Sequence, residues 1–160
     1  MRDVLLVAGL LAAPYTTSVQ QYQAQPQVDR SDPRLSKLTK FFADRDCPLQ
    51  YSAEDFLVAA DQNKLDWRLL PSISIIESSG GKDYKNNNVF GWDSCRERFP
   101  SVRAGIHYVA AQLGKSSRYR DKDVDRKLHL YNPLPEYPRR VKAVMRSLES
   151  SARPAGLAVN

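Results

Sequence analysis

From residue 34 to residue 150 the apolar positions recur with a helical period rather than by alternation. Leu35, Leu38, Phe41 and Phe42 share one face of a first helix. Ser52 followed by Asp55 reads as an acidic variant of a capping box, opening a second helix through Phe56, Leu57, Ala59 and Ala60. Asp66 is placed to cap a third segment, Trp67 to Glu77, in which Pro71 predicts either a kink or a short turn ahead of the main helix. Ile73 and Ile76 face the core there, and Ser78-Ser79-Gly80-Gly81 ends it. Ser101 caps a fourth helix with a stripe of Val102, Ile106, Val109, Ala110 and Leu113, which Gly114 is expected to terminate. Asp123 starts a short fifth helix reaching Tyr131, and Pro138 opens a sixth in which Val141, Val144, Met145 and Leu148 keep the i, i+3, i+4, i+7 spacing. Any sheet is confined to residues 82–99, so the expected fold class is mainly α, α+β at most.

A chain of 160 residues accommodates one compact domain with loose ends, and 42% hydrophobic with 26% charged residues excludes disorder throughout. Val4 to Ala13 is an uninterrupted apolar run, too short to span a bilayer but matched to the apolar region of a signal peptide. Residues 1–18 are therefore expected to be a signal peptide, with Thr16 and Ser18 as the small residues before cleavage. Thr16 to Pro33 is rich in Gln, Thr, Ser and Pro, so residues 19–33 read as a flexible linker; residues 151–160 read as a disordered tail, leaving 34–150 as the domain. The expected location is exported, periplasmic or extracellular.

Charge divides the chain unevenly. Arg96 to Arg146 holds 13 basic and 5 acidic residues against 10 and 12 in Met1 to Cys95, so the C-terminal half should favour an anionic partner. Nucleic acid is not the expected one, because no helix-turn-helix spacing, RNP element or zinc-finger pattern accompanies the charges. Cys47 and Cys95 are too few for a cysteine-based zinc site; in an exported chain they would form a single disulfide closing about 49 residues, worth roughly 4 kcal/mol. No phosphate loop, dinucleotide fingerprint or haem motif is present, so neither a metal nor a cofactor is expected. His107 and His129, each beside apolar neighbours on a helix, read as structural or surface residues.

Glu77 is the one carboxylate placed awkwardly. It follows Ile75 and Ile76 at the C-terminal end of an apolar helix, where the macrodipole and burial both favour the protonated form. A general acid near neutral pH needs that shift. The next block, Asn86-Asn87-Asn88-Val89-Phe90-Gly91-Trp92, combines amides with aromatic faces, a mixture suited to a neutral polyhydroxylated ligand, or to a turn whose aromatic rings pack inward. Tyr131-Asn132-Pro133-Leu134-Pro135-Glu136-Tyr137 sets a phenol and an amide before a proline-stiffened turn, which would equally serve as a helix connection.

These three blocks, in this order and spacing, resemble the lysozyme-like superfamily of peptidoglycan-cleaving enzymes over about residues 34–149. The first resembles the Glu-Ser motif of lytic transglycosylases and of glycoside hydrolase family 73 glucosaminidases, and the second the Asn-Phe-Gly element of family 73. The third is similar to the transglycosylase Tyr-Asn block or to the Tyr, Pro, Tyr pattern of family 73. The resemblance implies a lysozyme-like helical domain acting as a glycosidase, with Glu77 as general acid/base. It places Asn88, Phe90, Gly91, Trp92, Tyr131, Asn132 and Tyr137 along the substrate groove. The implied partner is peptidoglycan or a related N-acetylated glycan, met by a monomer without a stable membrane span.

Only eight residues separate Glu77 from Asn86, so the β-lobe that supplies a second acid in family 73 is reduced or absent. Asp83 and Asp93 are the second carboxylates then available. A non-catalytic module that binds cell-wall glycan is the alternative that this shortening motivates.

Overall fold

The computed structural model describes residues 28–150. The segment expected to be a signal peptide, most of the expected linker and the expected tail lie outside them. Asp32 accepts the Arg34 amide and caps α1, Pro33–Ala43, which buries Leu38, Phe41 and Phe42. Val28 packs against the core and Pro33 is the first residue of α1, so packed chain begins a few residues ahead of Arg34.

A 3-10 turn, Pro48–Ser52, leads directly into α2, Ala53–Gln62. The expected capping box is not formed. Ser52 is the end of that turn and makes no side-chain cap, while Asp55 pairs at 3.1 Å with Arg103 of α4, Val102–Lys115. Ion pairing across helices has displaced the local hydrogen bond.

The central helix α3 runs Leu69–Ser78 and is buried along most of its length. Starting at Leu69 puts Pro71 in the first turn, where a missing N–H would have had no helical partner, so no kink results. Asp66 accepts the Arg68 amide at 3.0 Å in the turn before it. Ser79, with φ 51°, closes the helix in the left-handed conformation. Ser78 then donates to the Ser74 and Val89 carbonyls, tying the helix end to the loop that follows.

Ser101 caps α4 and Asp123 caps α5, Val124–Tyr131, through the amides of Ala104 and Arg126. Pro138 lies in the first turn of α6, Tyr137–Ser150, which buries Val141, Met145 and Leu148. α3 packs most extensively on α6 and α2 on α4. Among the described residues there is no strand, only an isolated bridge between Lys85 and Asn88, and the fold is mainly α. None of their helices is long and apolar enough to cross a membrane.

Gly114 does not end α4, which continues to Lys115. It serves packing instead: a Cβ there would stand 2.4 Å from the Asn63 carbonyl oxygen. Gly114→Ala, favourable for an isolated helix, is therefore expected to lower stability by about 1–3 kcal/mol in urea unfolding.

The expected Cys47–Cys95 disulfide is likewise not formed, and both cysteines are free thiols. Cys47 is buried at the end of α3, its Sγ 3.5 Å from the Ser79 carbonyl, and a Cβ on Gly80 would meet it at 2.4 Å. Cys95 ends a separate turn, Trp92–Cys95.

Candidate active site

Glu77 stands in the last turn of α3 and is half-buried. Tyr137, at the start of α6, donates its hydroxyl to Oε1 at 2.6 Å. Gly91 closes on the other oxygen: a Cβ there would lie 2.8 Å from Oε2. Burial raises the carboxyl pKa, opposed by the Tyr137 hydrogen bond and the Arg140 charge, and the balance stays upward. The side chain therefore keeps its proton to a higher pH than an exposed glutamate.

The loop from residue 86 to residue 99 forms the adjoining wall, and its backbone is unusual. Asp93, Ser94 and Cys95 have φ of 50°, 54° and 61°, and Asn86 and Asn87 are also left-handed. Each such residue costs about 1–2 kcal/mol, less for Asn and Asp. Three consecutive amides offset that cost. Asn86 donates to the Cys95 carbonyl, Asn87 to Phe99, and Asn88 to Trp92 and Glu97, while Asn88 Oδ1 accepts the Trp92 amide at 3.0 Å.

A groove of about 620 Å³ opens beside Glu77. The 91–99 loop contributes Gly91, Trp92, Asp93, Ser94 and Glu97 to its lining. Tyr108 comes from α4, Arg118 and Tyr119 from the α4–α5 connection, and Leu130 to Pro133 from the end of α5. Trp92, Tyr108, Tyr119 and Tyr131 are the aromatic residues of its lining. The Trp92 ring meets Tyr131 edge-on at 5.6 Å and Tyr108 at 6.2 Å, and Tyr131 stacks on Tyr137 at 5.9 Å. Burial, with the Glu77 charge next, holds the Tyr131 hydroxyl well above its ordinary pKa. That hydroxyl donates to the Phe90 carbonyl, so Tyr131 presents its ring and oxygen lone pairs, not a free proton.

The residues expected at the groove divide accordingly. Glu77, Gly91, Trp92, Tyr131 and Asn132 line it. Asn132 Oδ1 is also engaged, accepting the Leu134 amide at 3.1 Å. Three expectations are corrected. Asn88 is 1% exposed and holds the loop, and Phe90 is fully buried, packed edge-on against Phe56 at 6.2 Å. Tyr137 is buried too, and reaches the site through Glu77 rather than as groove lining.

Of the two proposed second carboxylates, Asp83 is exposed and outside the lining, whereas Asp93 lines the groove but is paired with Arg96. Glu97, Tyr108, Arg118 and Tyr119 are lining residues that sequence reasoning missed. Arg96-Glu97-Arg98 reads as solvated charge, and Tyr108 falls among the apolar residues of a helix stripe. Glu97 forms no ion pair among the described residues, which also contain no group of three or more His, Cys, Asp and Glu able to hold a metal ion.

Tyr137→Phe tests the hydrogen bond to Glu77. Its hydroxyl favours the ionised carboxylate, so its removal should raise the Glu77 pKa further. Any activity that needs protonated Glu77 would then persist to higher pH, seen as an upward-shifted alkaline limb in the rate profile. An unmoved limb would show that Glu77 is not the titrating acid.

Comparison of the chain with family models, curated proteins and solved structures returned no match.

Proposed function

We propose that this chain cleaves the glycan strand of peptidoglycan, or a related N-acetylated glycan, using Glu77 as general acid/base. The observation that carries the reading is a carboxyl with a raised pKa at the edge of an aromatic-lined groove. Aromatic faces suit the C–H surfaces of sugar rings, and the groove is of a size that holds a few of them. The resemblance of the Glu77, Asn88-to-Trp92 and Tyr131-to-Tyr137 blocks to lytic transglycosylases and family 73 glucosaminidases supports the same chemistry. An exported chain would meet its substrate in the cell wall.

Glu77 donates its proton to the glycosidic oxygen as that bond breaks. The oxygen of the substrate's own N-acetyl group attacks the anomeric carbon, forming a cyclic intermediate that needs no second protein nucleophile. Glu77, now ionised, removes a proton either from water, giving hydrolysis, or from a hydroxyl of the same sugar, giving an anhydro product. An inverting pair would instead require a second carboxyl about 6.5–9.5 Å away. Besides Glu77, Glu97 is the lining carboxylate free of an ion pair, whereas Arg96 holds Asp93.

Mass spectrometry of purified murein digested by wild type and by Glu77→Gln is the test. Reducing-end or anhydro fragments from wild type, lost in the variant, support the proposal. Equal release from both would refute it, and wall binding without fragments would favour a non-catalytic module.

A further inference from the structure

We propose that Arg118 binds a carboxylate carried by the glycan, making the groove selective for muramyl-type strands over neutral N-acetylglucosamine polymers. This rests on the glycan-cleaving reading and names the substrate feature that the site selects.

The groove brings Glu77, Asp93 and Glu97 to one cleft. A neutral polymer is indifferent to them when they ionise, but a polymer bearing its own carboxylates is repelled unless a cation meets it. Arg118 is the one positively charged residue among those lining the groove. Arg96, Arg103 and Arg120, by contrast, are each paired with an aspartate and none of them lines the groove. Arg118 forms no such pair among the described residues.

It is nevertheless held in place. Nη2 donates to the Leu130 carbonyl at 3.0 Å, and the guanidinium carbon lies 5.5 Å from the centroid of the Tyr119 ring. These contacts tie it to the connection before α5 and to the end of that helix. A guanidinium has five N–H donors, so this one hydrogen bond leaves enough for a two-point grip on a carboxylate. Anchoring beforehand reduces the ordering cost of binding. A lysine would present a point charge without the planar fork.

The carboxylate has two sources on such a strand, the lactyl ether on the muramyl ring and the peptide attached to it. Calorimetric binding to Glu77→Gln protein, with and without Arg118→Ala, separates them. Three ligands are used: a muramyl-containing tetrasaccharide with free lactyl groups, the same tetrasaccharide bearing peptide stems, and the neutral N-acetylglucosamine tetramer.

Arg118→Ala is expected to lower the preference for carboxylate-bearing ligand over the neutral tetramer by about tenfold, with Arg118→Lys recovering only part of it. A loss seen with the free lactyl ligand places the contact on the ring substituent; a loss confined to the peptide-bearing ligand places it on the stem. Equal losses for all three ligands, or none, overturn the role of Arg118. Murein turnover by wild type is scored separately. Fragments accompanied by an unmoved preference sink Arg118 alone; an Arg118-dependent preference without fragments sinks the catalytic reading alone; failure to bind any ligand sinks both.

Discussion

Glu77→Gln is expected to reduce the proposed glycan cleavage by roughly 10²–10⁴-fold, the range for loss of a general acid, while making the protein more stable at neutral pH. Both effects follow from one fact, the raised pKa of a half-buried carboxyl. Because the folded value lies above the unfolded value near 4.5, the folded state binds the proton more tightly. Stability then falls as pH rises through the interval between the two values, since there the unfolded state binds fewer protons. Below the unfolded value the penalty is absent, and above the folded value it is fully present. Glutamine carries no such charge and still offers an oxygen to the Tyr137 hydroxyl. Melting temperatures of the two proteins should therefore converge at acid pH and separate as pH rises, with the variant higher. A variant no more stable than wild type at neutral pH would mean that burial does not strain the carboxylate.

Gly91→Ala should cost nearly as much activity by a different route. Gly91 has φ 63°, so any L side chain there is strained by about 1–2 kcal/mol. The larger effect is steric, because the new methyl group would stand 2.8 Å from Glu77 Oε2. One of the two must move. A general acid displaced by about an ångström can lose on the order of 10² in rate, and here displacement also works against the hydrogen bond from Tyr137. Steady-state turnover of soluble murein fragments, measured beside circular dichroism, separates the site effect from unfolding. Full activity in a folded Gly91→Ala protein would show that Glu77 is not held against this backbone during catalysis.

The helices were legible because their signals are local. A 3.6-residue period places Leu38, Phe41 and Phe42, or Val141, Met145 and Leu148, on one side whatever they pack against. Ser101 and Asp123 cap their helices with amides only three residues away. The Ser52–Asp55 pair misled for the same reason: the local pattern was present, but Arg103, 48 positions beyond Asp55, took the carboxylate. Gly114 looked like a helix stop until Asn63 was brought against it.

The site divides along the same line. A lone carboxylate at the end of an apolar helix is an electrostatic anomaly visible in one dimension, so Glu77 could be read directly from its neighbours. Asn88 and Phe90 could not be assigned that way, because an amide or a ring serves ligand or core equally well until its surroundings are known. Glu97 and Arg118 gave no signal at all, being charged residues among charged residues. Their place in the groove depends on contacts distant in the chain, such as the Tyr131 hydroxyl on the Phe90 carbonyl 41 residues before it. Periodicity, caps and one misplaced charge are short-range properties that a linear chain already carries. The walls of the groove and the setting of Glu77 between Tyr137 and Gly91 arise only when α3, α6 and the 86–99 loop converge, because burial and hydrogen-bond partners exist only in three dimensions.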